Sequence, residues 1–316
     1  MRFYLLVIVF FSVLYAKDLS PYKVIEASGN VQSIVMDAQY IIAGTNVGSI
    51  EVYHKEEGTL SQKIVFEKIK DFTGESSAPK VFSVDIFGST TYLAVVQASN
   101  GARRLVLVEN GVQKELIGAD KNLFINKAKF VDKDHILVAL MSSEFFLLNT
   151  KTLEKRYHVQ LSYSHFSDFA LNESKSLVAS SSESGEIVIS DVFTGKVVSV
   201  LNGGNVDNVY KVDYKQQKVL CAGQDRRGIV YEVPNKQFKR FDAPFLIYAG
   251  ALSPSATLGA FAFNEENDIV IFDLASQNRL HTLKGQKSTL NTIVFVSEKE
   301  LVSGSDDKYI LIWRLP

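Results

Sequence analysis

The chain has 316 residues, 46% of them hydrophobic and 22% charged, a globular composition that excludes a largely disordered chain. Its 34 Lys and Arg nearly cancel 35 Asp and Glu, so there is no overall electrostatic footprint for nucleic acid or an anionic membrane. With Cys221 as the only cysteine, an internal disulfide and a CxxC metal or redox pair are excluded. Its flanks, Val219-Leu220-Cys221-Ala222, read as a strand interior with the thiol serving as a small buried hydrophobe.

In chain order, Met1-Arg2 is a short positive start, residues 3–14 are apolar apart from Ser12, and Ala16 is a small residue before Lys17-Asp18. That is the pattern of a secretory signal peptide over residues 1–16. Its apolar run spans about 18 Å as a helix, short of the roughly 30 Å hydrocarbon core. The expected product is an exported, soluble chain beginning near Lys17, with no stable membrane anchor.

Beyond the leader, short β-branched and aromatic strands recur. The strands that open at Ile50, Leu105, Phe145, Ile187, Ile229, Ile269 and Ile310 start 55, 40, 42, 42, 40 and 41 residues apart. Each is preceded by a strand and a turn, as at 40–45 and 218–223, and followed by a more polar strand, as at 196–201. An earlier strand completes each set, at 126–131, 167–171, 209–214, 248–253 and 291–296. Four strands per period of about 41 residues is the signature of a β-propeller blade. The expectation is an all-β chain, with residues 17–316 forming one seven-bladed propeller of four antiparallel strands per blade. The long first interval implies an insertion around 67–80, where Lys70-Asp71-Phe72-Thr73-Gly74-Glu75 has turn chemistry. Pairing residues 22–26 with residues 310–313 would close the ring and remove an exposed sheet edge.

The blades resemble WD-repeat propellers, most openly in Leu301-Val302-Ser303-Gly304-Ser305-Asp306-Asp307-Lys308-Tyr309-Ile310-Leu311-Ile312-Trp313. Other blades are degenerate: the opening Gly-His survives only as Gly285-Gln286, and Trp-Asp is replaced by Ser190-Asp191 and Phe272-Asp273. The family's hydrogen-bonded set of His, Ser or Thr, Trp and Asp is therefore expected to be incomplete in every blade.

Catalytic and metal chemistry find no support in the motifs. His54, His135, His158, His165 and His281 lack the short spacings of a zinc or haem site. There is no phosphate loop or Gly-x-Ser-x-Gly elbow, and Asp306-Asp307 sits in a tight turn where carboxylates cap backbone amides. No cofactor is expected. Strand alternation points Asp85, Lys127, Lys129, Lys211 and Asp213 into the central channel, where they read as a solvated wall or a ligand site.

In a propeller the loop leading into each blade and the turn between its second and third strands share one face. On that face blades four to six concentrate polar residues, and the candidate partner-binding set is His165, Asp168, Glu183, Asp207, Asn208, Tyr210, Gln224, Asp225, Arg226, Arg227, Glu265 and Glu266. Arg103-Arg104 and Ser142-Ser143-Glu144 fall on the same side. Loops on a rigid scaffold commonly carry recognition, while Asp168, Asp207 and Asp225 equally suit bonds to backbone amides of adjacent blades. Arg226 and Arg227 are expected to be the freest contacts, with Asp225 satisfying the turn.

The ordered segments Lys127-Ala128-Lys129-Phe130, Ser167-Asp168-Phe169, Glu183-Ser184-Gly185, Asp207-Asn208-Val209-Tyr210, Ala222-Gly223-Gln224-Asp225-Arg226 and Phe245-Leu246-Ile247-Tyr248 resemble the NapL family, accessory proteins encoded with the periplasmic nitrate reductase. The resemblance implies a non-catalytic periplasmic protein that assists the reductase, expected to act through protein contacts as a monomer. The alternatives are a general periplasmic assembly scaffold and a propeller enzyme, either a quinone-cofactor dehydrogenase or a metal-dependent lactonase.

Overall fold

The structure, a computed structural model, describes residues 17–70 and 73–316; the expected signal peptide, residues 1–16, lies outside the described residues. Seven antiparallel sheets follow one another around a ring. Their innermost strands are Val31–Met36, Val81–Phe87, Ile125–Phe130, Phe166–Leu171, Val209–Lys215, Gly250–Leu252 and Leu290–Ser297. The seven-bladed, all-β expectation holds, and no α-helix occurs among the described residues.

Burial explains the sequence pattern that made the repeat legible. Third strands such as Phe145 to Leu148 and Ile187 to Ser190 are buried on both faces, because neighbouring blades cover each of them. They accordingly read as apolar runs rather than alternating ones. Outermost strands such as Lys155–Gln160 meet water and are mostly polar. Seven apolar clusters form the core, each between two adjacent blades. One of them joins Ile310 and Ile312 of blade seven, Ile25, and Val31 and Ile41 of blade one, so the last blade is packed on the first.

Ring closure occurs as expected. Lys23–Glu26 pairs antiparallel with the last strand, Tyr309–Arg314, in the register Lys23↔Ile312 to Glu26↔Tyr309. The sequence did not disclose a second use of the N-terminal segment: Lys17–Leu19 runs parallel to Arg279–Leu283 and adds a fifth strand to blade six. Three residues, two of them charged, carry no alternation that could have marked it. The insertion after blade one includes a small hairpin in which Ile69 and Lys70 face Ser77 and Ser76.

Blade seven carries more of the WD hydrogen-bond set than its sequence suggests. Trp313 Nε1 donates to Ser303 Oγ at 2.9 Å, Ser303 Oγ donates to Gln286 Oε1 at 2.7 Å, and Gln286 Nε2 reaches Ser305 Oγ at 2.6 Å. Gln286 fills the place of the missing His because its amide, like an imidazole, can accept and donate at once. Blade one solves the same packing problem with a charge. Glu51, 1% exposed, accepts from Ser28, Ser49 and Tyr53 and pairs with Lys63 at 3.0 Å. Burial alone would raise its pKa, but the hydrogen bonds from Ser28 and Tyr53, with Lys63, bring it down to about 2.

Candidate functional site

The channel wall follows a positional rule. On the innermost strands that open at Val31, Val81, Phe166 and Val209, counting that residue as position one, a side chain at position three or five points inward and reaches the next blade. Ser33 Oγ accepts from Val84 N at 3.4 Å, Asp85 from Phe130 N at 2.7 Å, Asp168 from Val212 N at 3.2 Å and Asp213 from Leu252 N at 2.8 Å. Each bond satisfies an amide and fixes the angle between blades. Lysines neutralise the carboxylates: Lys127 Nζ lies 2.6 Å from Asp168, Lys129 Nζ 3.3 Å from Asp85 and Lys215 Nζ 3.3 Å from Asp213. Asp85, Lys127, Lys129, Lys211 and Asp213 all line the channel cavity of about 420 Å³, as expected from alternation.

Asp168 joins them there. It was expected as a loop-face candidate, but it is 2% exposed and locked between Lys127 and the amide of Val212, so a partner on the loop face cannot touch it. Burial opposes its ionisation, yet Lys127 and Lys211 outweigh that and hold its pKa below the usual carboxylate range. Burial brings the ammonium of Lys127 down to about 8.

The other candidates do share the loop face, where they divide into tethered and free groups. Asp225 behaves as a turn anchor, accepting from Val206 N at 2.9 Å, Asn205 Nδ2 at 3.0 Å and Arg227 N at 3.2 Å. Arg227 is not free as expected: its guanidinium donates to Gly204 O at 3.2 Å and lies 3.7 Å from Asp225. It thereby folds back onto the loop that leads into its own blade. Arg226 is exposed, and its side chain has no hydrogen bond or ion pair among the described residues. Its φ of 63° is an uncommon turn conformation for a side-chain-bearing residue. Asn208 accepts from Ser167 Oγ at 2.6 Å, and Asp207 caps the amide of Asn208 at 2.7 Å. Tyr210 donates to Gln224 Oε1 at 2.8 Å and stacks on Tyr248 with centroids 5.0 Å apart. Arg103 lies over the Phe82 ring at 3.6 Å and donates to Ile125 O, and Arg104 turns to Glu115.

Glu183, Glu186, Asp207, Glu265 and Glu266 are exposed and form no ion pair among the described residues. Among these charges stand apolar groups that the sequence reading passed over. Phe124, Tyr163 and Val206, on the loops leading into blades three, four and five, are 49%, 101% and 65% exposed. Phe124 and His165 also line a cavity of about 440 Å³ with Leu123, Leu140 and Met141. For Tyr163 and Val206 the signal was a large apolar side chain within an otherwise polar loop, as in Ser162-Tyr163-Ser164. Among the described residues no group of His, Cys, Asp and Glu is arranged to hold a metal ion.

With four-stranded blades, seven inter-blade cores and the Trp313 relay, the molecule is a WD-repeat-like, seven-bladed β-propeller. The β-propeller domain of Cps50 (Swd1) from Myceliophteria thermophila superposes on it with a TM-score of 0.76, covering 94% of this chain and 99% of that one at 14% identity. At that identity the likeness is one of fold. Pre-mRNA-processing factor 19 of Bos taurus shares 38% identity over 71 residues, 22% of this chain and 14% of that protein's length. No family model matches the chain.

Proposed function

We propose that the protein is a non-catalytic accessory protein of the periplasm that holds a protein partner on the loop face of blades three to six. The observation that carries this reading is the arc of Phe124, Tyr163 and Val206 on three successive loops, flanked by unpaired acidic side chains and Arg226. Exposed aromatic and apolar groups within a charged rim are the composition of a protein interface, whose binding energy concentrates in a few such anchors. The channel suits a structural role better than acid or base catalysis, because Asp85, Asp168 and Asp213 each already accept a backbone N–H and face a lysine.

The partner that the loop and strand segments imply by their resemblance is a component of the periplasmic nitrate reductase system, and the leader-like residues 1–16 agree with export to that compartment. Immobilised mature protein should capture purified periplasmic nitrate reductase, and Tyr163→Ala combined with Val206→Asp should weaken capture by about tenfold or more with an unchanged melting temperature. Capture unaffected by both substitutions would move the interface elsewhere, and no capture by the unaltered protein would remove the reductase as partner.

A further inference from the structure

The channel holds more ammonium groups than its carboxylates can serve. Every channel aspartate has a backbone N–H as well as a lysine: Asp85 has Phe130 N and Lys129, Asp168 has Val212 N and Lys127, and Asp213 has Leu252 N and Lys215. Glu173, at the rim, accepts from Gln216 N. Lysine has three N–H donors. Lys127 gives one to Asp168 and one to Phe169 O, and Lys129 gives one to Asp85. Lys211 has no hydrogen bond and no ion pair among the described residues, although it lines the same cavity. Lys129 and Lys211 both line that cavity beside Lys127 and disfavour its charged form, so each lies within electrostatic reach of Lys127.

Such a set is costly to gather unless something negative completes it. The five lysines lining the cavity, Lys127, Lys129, Lys175, Lys211 and Lys215, face Asp85, Asp168, Asp213 and Glu173, which leaves one uncompensated positive charge and the unused donors of Lys211 inside a partly enclosed cavity. Neutral donors share that wall, among them Asn126 and Thr292, and Ser33 uses its oxygen as an acceptor, leaving its O–H free to donate. The channel aspartates are all engaged while Lys211 is not, the reverse of a cation site. We propose that the channel binds a multiply charged oxyanion of the phosphate class, held by Lys127, Lys129 and Lys211. The anion would sit between blades three, four and five on the axis, away from the loop-face arc, and would cross-link those blades.

The test is calorimetric titration of the mature protein with inorganic phosphate at low ionic strength, with Lys211→Gln and Lys129→Gln as variants. Lys211 carries no structural hydrogen bond, so its variant should melt like the unaltered protein. One phosphate per chain should bind saturably, and each substitution should weaken it about tenfold, the usual effect of losing a charge-assisted contact. At pH 8, where Lys127 is partly deprotonated, binding should take up a proton, seen as a heat that depends on the buffer's ionisation enthalpy. Displacement of bound phosphate by glycerol phosphate would show that a phosphomonoester also fits; no displacement would restrict the site to the free ion. Absence of saturable binding, or equal binding by both variants with their fold intact, would overturn the proposal.

Discussion

The channel wall and the loop face are built from the same residue types, yet the surrounding backbone uses them differently. In the channel, Asp85, Asp168 and Asp213 sit at fixed strand positions where the next blade presents an amide, and each is consumed by that amide and a lysine. On the loop face, Glu183, Glu265 and Glu266 occupy turns between second and third strands, where they are exposed and form no ion pair among the described residues. A carboxylate in a propeller thus has a structural fate on an inner strand and an available one on a turn, and Asp225, anchoring a turn from a 7% exposed side chain, marks the boundary.

The contrast can be broken most severely at Asp168. Asp168→Ala leaves Lys127 without its ion-pair partner and Val212 N without an acceptor, and should cost about 3–5 kcal/mol in denaturant unfolding. A loss below about 1 kcal/mol would mean that water replaces the carboxylate and that the channel lock is dispensable. Arg227→Glu comes next. It sets a carboxylate against buried Asp225 and removes the bond to Gly204 O, for roughly 1–3 kcal/mol.

Glu51 extends the comparison to pH. Its folded-state pKa lies near 2, below the ordinary 4.5, so the stability it contributes is present above about pH 4.5 and is lost as pH falls toward about 2. Discounted for solvent reaching it past Lys63, that contribution is roughly 1–2 kcal/mol. Glu51→Gln should flatten the acid limb of a stability-against-pH curve between those values, and an unaltered limb would assign acid sensitivity to other carboxylates. At the small end, Glu265→Gln with Glu266→Gln should change stability by under about 0.5 kcal/mol, as expected for surface groups without partners.

The ring was legible because its signal is repeated: seven apolar third strands at nearly constant spacing reflect seven sandwiched positions, and any one blade could be degenerate without hiding the period. Channel alternation was legible for the same reason, since period two follows from the pleat. What escaped depends on contacts across the fold. Gln286 completing the Trp313 relay, Lys17–Leu19 joining blade six, and Asp168 belonging to the axis rather than the rim each require knowing which chain segment lies opposite. Arg226 and Arg227 are adjacent and chemically identical, and the turn backbone, which brings only Arg227 to Gly204 O and Asp225, separates their roles.

That pair offers the most direct test of the claim that the loop face binds a partner with groups the fold leaves free. Capture of purified nitrate reductase and melting temperature should be measured together for Arg226→Glu and Arg227→Glu. The account predicts that Arg226→Glu weakens capture, mainly through a slower and less salt-sensitive association, and melts like the unaltered protein, whereas Arg227→Glu lowers the melting temperature. Unchanged capture by Arg226→Glu, or a fall in its melting temperature as large as that of Arg227→Glu, would contradict it.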